Sequence, residues 1–139
     1  MIVLDTSFVV ALLEHDDAGH REAADFYAKA EGGFTTTPLI LAEIDHLLRS
    51  RGTPAALEAF HREVRAGSLG VEWWSHLDVR AAEIAERYAD LGLGLTDATL
   101  VALAGRLETH RIASFDERHF RAVEPLTGAS SFVLLPADV

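Results

Sequence analysis

Hydrophobic residues along this chain fall into two rhythms, short unbroken apolar runs and longer stretches of helical period, and the two alternate. Ile2-Val3-Leu4 is apolar and β-branched with no polar alternation, the pattern of a strand covered on both faces of a parallel sheet. It stops at Asp5, and Thr6-Ser7 can cap a helix whose body is Phe8 to Leu13. His15 to Gly19 breaks the pattern as a loop. His20 to Ala30 resumes it, with Ala23, Phe26, Tyr27 and Ala30 at helical spacing, and Gly32-Gly33 follow. Phe34 to Thr37 is short and β-prone, and Pro38 fits the first turn of a helix through Leu39 to about Arg49.

Gly52-Thr53-Pro54 separates that helix from another near Ala55 to Arg65. Val71 to Trp74 is expected to be a third strand, each tryptophan packing under a covering helix because neighbours on a strand face opposite ways. Leu77 to Ala89 is predicted helical, with Val79, Ala82, Ile84, Ala85 and Tyr88 inward. After a loop at Leu91 to Leu95, a helix starts at Thr96-Asp97 and runs to about Thr109. Arg111 to Phe115 reads as a fourth strand and Phe132 to Leu135 as a last edge strand. Strands alternating with helices imply an α/β domain with a central parallel sheet of four to five short strands and helices on both faces. The expectation is one domain over residues 1–139.

Four carboxylates interrupt this scheme. Asp5 and Asp116 each follow a strand directly, and Asp97 heads a helix. Glu43 sits in the early turns after the second strand and borders Ile40 and Leu47 on the apolar stripe of its helix. Singly, each has a bland explanation as a cap, a turn residue or a complement to a helix dipole. Together they are different, because in a parallel sheet all carboxyl ends of strands lie on one edge, where ligands bind. Two unit charges ~4 Å apart repel by about 4 kcal/mol at an effective dielectric of about 20. Four such groups demand protons or a cation, and an oxygen-only donor set suits Mg²⁺ or Mn²⁺. A divalent ion of this kind activates water and stabilises phosphate oxygens during phosphodiester hydrolysis.

The ordered set Asp5 in Leu-Asp-Thr-Ser, Glu43 in Leu-Ala-Glu-Ile, Asp97 in Leu-Thr-Asp-Ala and Asp116 in Ser-Phe-Asp-Glu-Arg-His-Phe resembles the PIN-domain proteins. More narrowly, it resembles the VapC toxins of bacterial type II toxin–antitoxin systems, over Met1 to about Phe120. The resemblance implies a PIN-like fold and a Mg²⁺-dependent endoribonuclease, with Mn²⁺ as a possible substitute. It implies that Asp5, Asp97 and Asp116 ligate metal, that Glu43 ligates it directly or through water and orients the attacking water, and that Ser7 and Ser114 supply hydroxyls beside the site. Ser114 stands where many members have threonine. The implied partners are an RNA substrate (transfer RNA, ribosomal RNA or message), a cognate antitoxin that inserts a basic residue into the acidic site, and a second copy in a homodimer. The alternative is a PIN-like module that binds RNA or protein without cutting. An acid-cluster phosphatase or phosphoacceptor domain is disfavoured, since it needs a second Asp two residues after the first, or an acidic pair plus a late lysine, and here position 7 is Ser7 and Lys29 lies in an early helix.

Composition narrows the picture further. Twelve Lys plus Arg against twenty-two Asp plus Glu give a net charge of −10, which argues against holding nucleic acid by bulk electrostatics. Arg118 and Arg121 are the basic residues beside the last acidic motif; they can position RNA phosphates or pair with Glu117 and Glu124. None of the seven histidines form a His-x₃-His pair on one helical face, and His119, the one near the site, reads as a loop residue, with contact to substrate or metal as the alternative. The chain has no cysteine, no apolar run long enough for a membrane span and no basic flank of a signal peptide, so a cytoplasmic protein is expected.

Overall fold

The computed structural model describes residues 1–139. Five strands form one parallel sheet: β1 (Ile2–Leu4), β2 (Phe34–Thr36), β3 (Gly70–Val71), β4 (Arg111–Ala113) and β5 (Val133–Leu135), in the spatial order β3-β2-β1-β4-β5. β1 is central, with Val3 opposite Thr35 on one side and Ile112 on the other. All three of its residues are essentially inaccessible, so both faces are covered and the unbroken apolar run is explained. The order of strands reverses at β1: the chain adds β2 and β3 on one side and β4 and β5 on the other. Ligand sites in open α/β sheets form at that switch point, outside the strands' carboxyl ends.

Seven helices surround the sheet: α1 (Thr6–Leu13), α2 (His20–Lys29), α3 (Pro38–Arg51), α4 (Pro54–Ala66), α5 (Leu77–Arg87), α6 (Leu95–Arg106) and the short α7 (Glu117–Phe120), with a 3₁₀ turn at Ala89–Leu91. α5 and α6 pack as a pair, and α3 contacts α1, α4 and α6. Thr37 caps α3 by accepting from the Ile40 amide, and Pro38 occupies its first turn. Thirty buried apolar residues make one continuous core. α6 is buried without a break from Ala98 to Ala104, which fixes its N-terminal turn firmly against the sheet.

Three expectations are corrected. β3 ends at Val71, so the tryptophans leave the sheet. Trp73 is 74% exposed rather than packed under a helix, while Trp74 lies under the Arg106 guanidinium, 4.9 Å from its ring centroid. β3 is an edge strand that runs close to its neighbour: a Cβ on Gly70 would lie 2.7 Å from the Phe34 carbonyl oxygen, so glycine is required there. α5 buries Ile84 and packs Ala85 and Tyr88 against the core as expected, but its first turn faces inward through Leu77 and leaves Val79 exposed. Finally, α1 begins at Thr6 and α6 at Leu95, so Thr6 is a first-turn residue and not a cap.

Candidate metal centre

Asp5, Asp97 and Asp116 all occur where a helix begins, so capping is the simplest role for each. The geometry assigns them something else. Asp5 and Asp116 occupy the N-cap positions of α1 and α7, and Asp97 lies in the first turn of α6, yet none of these helices has a side-chain capping bond. Their carboxylates turn towards one another instead.

Asp5 leaves β1 with 4% exposure, its backbone amide donating to the Ala113 carbonyl of β4. Its carboxylate is held from two directions: Ser7 Oγ donates to Oδ2 at 2.8 Å and Ser114 Oγ at 2.7 Å. The two hydroxyls lie 3.2 Å apart, and each also accepts a backbone amide, Phe115 on Ser7 and Asp116 on Ser114, both at 2.9 Å. This small network ties the end of β1 to the end of β4 and aims the segment that carries Asp116. Burial pushes the Asp5 carboxyl above its ordinary value, against the lowering effect of the Ser114 and Ser7 hydroxyls and the Thr6 amide; the Asp116 charge pushes the same way as burial.

Glu43 enters from α3 and is half-buried beside Ile40 and Ile44. Thr37, at the start of α3, shares a 2.8 Å hydrogen bond with Thr99 of α6, so the helices carrying Glu43 and Asp97 are joined close to the site. Ligand atoms of Asp5, Glu43 and Asp97 lie within 4.8 Å of one another. A second group, Asp97, Asp116 and His119, meets the same limit. Asp97 belongs to both. Its carboxyl is pushed up to about 7, first by burial and then by the charges of Asp5, Glu43 and Asp116, with His119 acting in the opposite direction.

His119 was expected in a loop; it lies in α7, with Nδ1 3.3 Å from both Asp97 Oδ2 and Asp116 Oδ2. The only sequence signal for it was the helical spacing of three from Asp116. Arg118 is exposed and makes no side-chain pair. Arg121 does pair, with Asp138 through two bonds of 2.6 and 2.7 Å and with Glu117 at 2.9 Å, not with Glu124. It therefore anchors the C-terminal segment, leaving Arg118 as the free cation of α7.

The donor set fits a divalent cation. Four carboxylates converge, one of them raised to about 7 by burial and then by its neighbours' charges, and a buried imidazole nitrogen among them lacks a hydrogen bond. A cation of charge two relieves all three conditions at once. The large clefts elsewhere, such as the one lined by Val10, Glu14, Leu47 and Arg51, contain no comparable grouping.

A parallel α/β sheet with an acidic pocket at its switch point defines a class of metal-dependent hydrolase architectures, and comparison with known proteins narrows it. The profile of the PIN domain matches residues 2–125, and the chain belongs to that family. It is similar to Ribonuclease VapC26 of Mycobacterium tuberculosis (strain ATCC 25618 / H37Rv), 29% identical over 136 residues that span 97% of this chain and 100% of the relative. It is also similar to the crystal structure of Mycobacterium tuberculosis VapC20, described as a sarcin–ricin loop cleaving toxin. There the TM-score is 0.73 and the identity 28%, over 84% of this chain and 90% of the other.

Proposed function

We propose that this protein is a metal-dependent endoribonuclease of the VapC type, the toxin of a toxin–antitoxin pair. The observation that carries the reading is the pair of donor groups that share Asp97, at the sheet's switch point in a PIN-domain chain. A divalent cation, Mg²⁺ or Mn²⁺, bound there supplies charge to stabilise phosphate oxygens and to activate water.

The residues of the chain do the rest. Ser7 and Ser114 hold Asp5 in one orientation, so that it presents a fixed oxygen to the pocket. Asp97 and Asp116 complete the acidic wall. Glu43, less buried than Asp5, orients the attacking water and accepts its proton. Arg118, exposed next to the pocket's His119, meets a substrate phosphate outside the acidic zone. The competing non-catalytic reading is disfavoured because all four acidic positions are intact and converge, an arrangement a binding module does not need.

A net charge of −10 makes random single strands poor ligands, so the substrate is a structured RNA recognised by shape and local arginines. The sarcin–ricin loop, the target named for VapC20, is the first candidate. The partner is an antitoxin that silences the pocket with an arginine fitted to its carboxylates in place of the metal. Residues 1–139 act as one PIN domain, working in the cytoplasm as a homodimer. Mapping new RNA 5′ ends after brief induction tests the reading. One or a few dominant sites, absent with Glu43→Gln, are expected; an unchanged RNA population rejects it.

A further inference from the structure

The two donor groups differ in chemistry. Asp5, Glu43 and Asp97 offer only oxygen, whereas Asp97, Asp116 and His119 combine two carboxylates with an imidazole nitrogen. His119 Nδ1 is buried and has no hydrogen bond, although carboxylate oxygens stand 3.3 Å away on two sides. An imidazolium paired with a carboxylate closes to ~2.7–2.9 Å with the N–H directed at the oxygen. Here the contact is longer and misaligned for both oxygens. Donor atoms in neighbouring positions around an octahedral ion with ~2.1 Å bonds stand about 3.0 Å apart, close to the spacing seen.

The ring is also held in place. Phe120, the next residue, is fully buried against Phe132, with ring centroids 6.3 Å apart. Arg121, the residue after it, is clamped to Asp138 and Glu117. α7 therefore presents His119 from a fixed backbone, with Nδ1 held 3.3 Å from an oxygen of each carboxylate and bonded to neither, a preformed position for a donor to an ion between them.

We infer that His119 is a nitrogen ligand in the outer half of the metal centre, and that it biases this half towards Mn²⁺ over Mg²⁺. The inference rests on the metal-centre reading above. Imidazole is a good donor to first-row transition ions, whereas Mg²⁺ prefers carboxylate and water oxygens. With Nε2 carrying the hydrogen, Nδ1 offers its lone pair to the ion. The competing role is an internal cation: a protonated His119 lying between Asp97 and Asp116 where a metal would otherwise sit. The two roles give opposite signs on metal affinity.

The experiment uses the full chain, Mn²⁺ as the probe and pulsed electron paramagnetic resonance, which reads nitrogen bound to Mn²⁺ directly. Unlabelled and ¹⁵N-histidine wild-type protein are compared, followed by His119→Gln, with Mn²⁺ and Mg²⁺ affinities titrated for each. The expected result is a nitrogen modulation that changes on ¹⁵N labelling, disappears in His119→Gln, and is accompanied by a loss of Mn²⁺-over-Mg²⁺ preference on the order of tenfold. The labelled wild type carries the test even if the variant folds poorly. Mn²⁺ bound without nitrogen modulation, or a tighter Mn²⁺ affinity in His119→Gln, overturns the assignment of His119 alone. No Mn²⁺ binding to wild type overturns the metal centre with it.

Discussion

Ser114 Oγ donates to Asp5 Oδ2 at 2.7 Å, joining residues 109 positions apart across the central pair of strands. The same hydroxyl accepts the Asp116 amide, so one side chain orients two of the four carboxylates. Ser114→Ala removes a donor that lowers the Asp5 pKa and frees the backbone before Asp116. Metal affinity is expected to fall 10–100-fold and its onset to move to higher pH, because Asp5 ionises less readily. Ser114→Thr keeps the hydroxyl and restores both. Calorimetric metal titration at several pH values checks this, and an unchanged affinity in Ser114→Ala would remove Ser114 from the site.

Glu43→Gln preserves shape while removing charge and basicity. Cleavage is expected to drop by at least about 10²-fold, with the melting temperature within a few degrees of wild type. Turnover assays beside circular dichroism melts read both. Full turnover with added Mg²⁺ would exclude Glu43 as the base.

The raised Asp97 pKa gives a pH dependence of stability. The folded carboxyl titrates near 7 against 3.8 for the ordinary group, so between those values the folded protein binds more protons than the unfolded chain. Stability without metal is therefore full below about 3.8 on this account, falls as pH rises through the window and levels off above 7. Asp97→Asn removes the charge, so in EDTA at pH 8 the variant is expected to melt higher than wild type. A metal at one hundred times its Kd adds about 2.7 kcal/mol to wild type, and Asp97→Asn loses most of that gain. A variant that melts lower in EDTA and keeps the metal shift would mean Asp97 serves the helix and not an ion.

Arg118 carries the substrate prediction. Arg118→Ala is expected to weaken RNA binding several-fold and flatten its salt dependence, with metal affinity unchanged. Filter binding across a salt series reads this out. Equal binding by variant and wild type would place the phosphate contact elsewhere.

Much of this organisation was legible from residue order alone, for reasons the structure makes concrete. β1 is buried on both faces, so its apolar run was unambiguous, and strand ends in a parallel sheet share an edge, so carboxylates following strands had to converge. Glu43 was found because a charge on an apolar stripe needs a reason. Three features were not legible. Trp73 follows an edge strand that ends at Val71, and local pattern does not report an edge. Val79 depended on helix phase at a boundary, where periodicity is weakest. His119 gained its position from α7, a single turn fixed by long-range contacts of Phe120 and Arg121 that no short motif encodes.

The central claim is that the pocket built on Asp5, Glu43, Asp97 and Asp116 cuts RNA only with a divalent cation in place. The most direct measurement is cleavage of ribosomal RNA by purified protein in EDTA and after restoring Mg²⁺ or Mn²⁺, with Asp97→Asn, matched for fold by circular dichroism, as the control. The account predicts silence in EDTA, recovery of the same cut sites on adding either ion, and no recovery in Asp97→Asn. Cutting that persists in EDTA, or that Asp97→Asn performs at the wild-type rate, contradicts it.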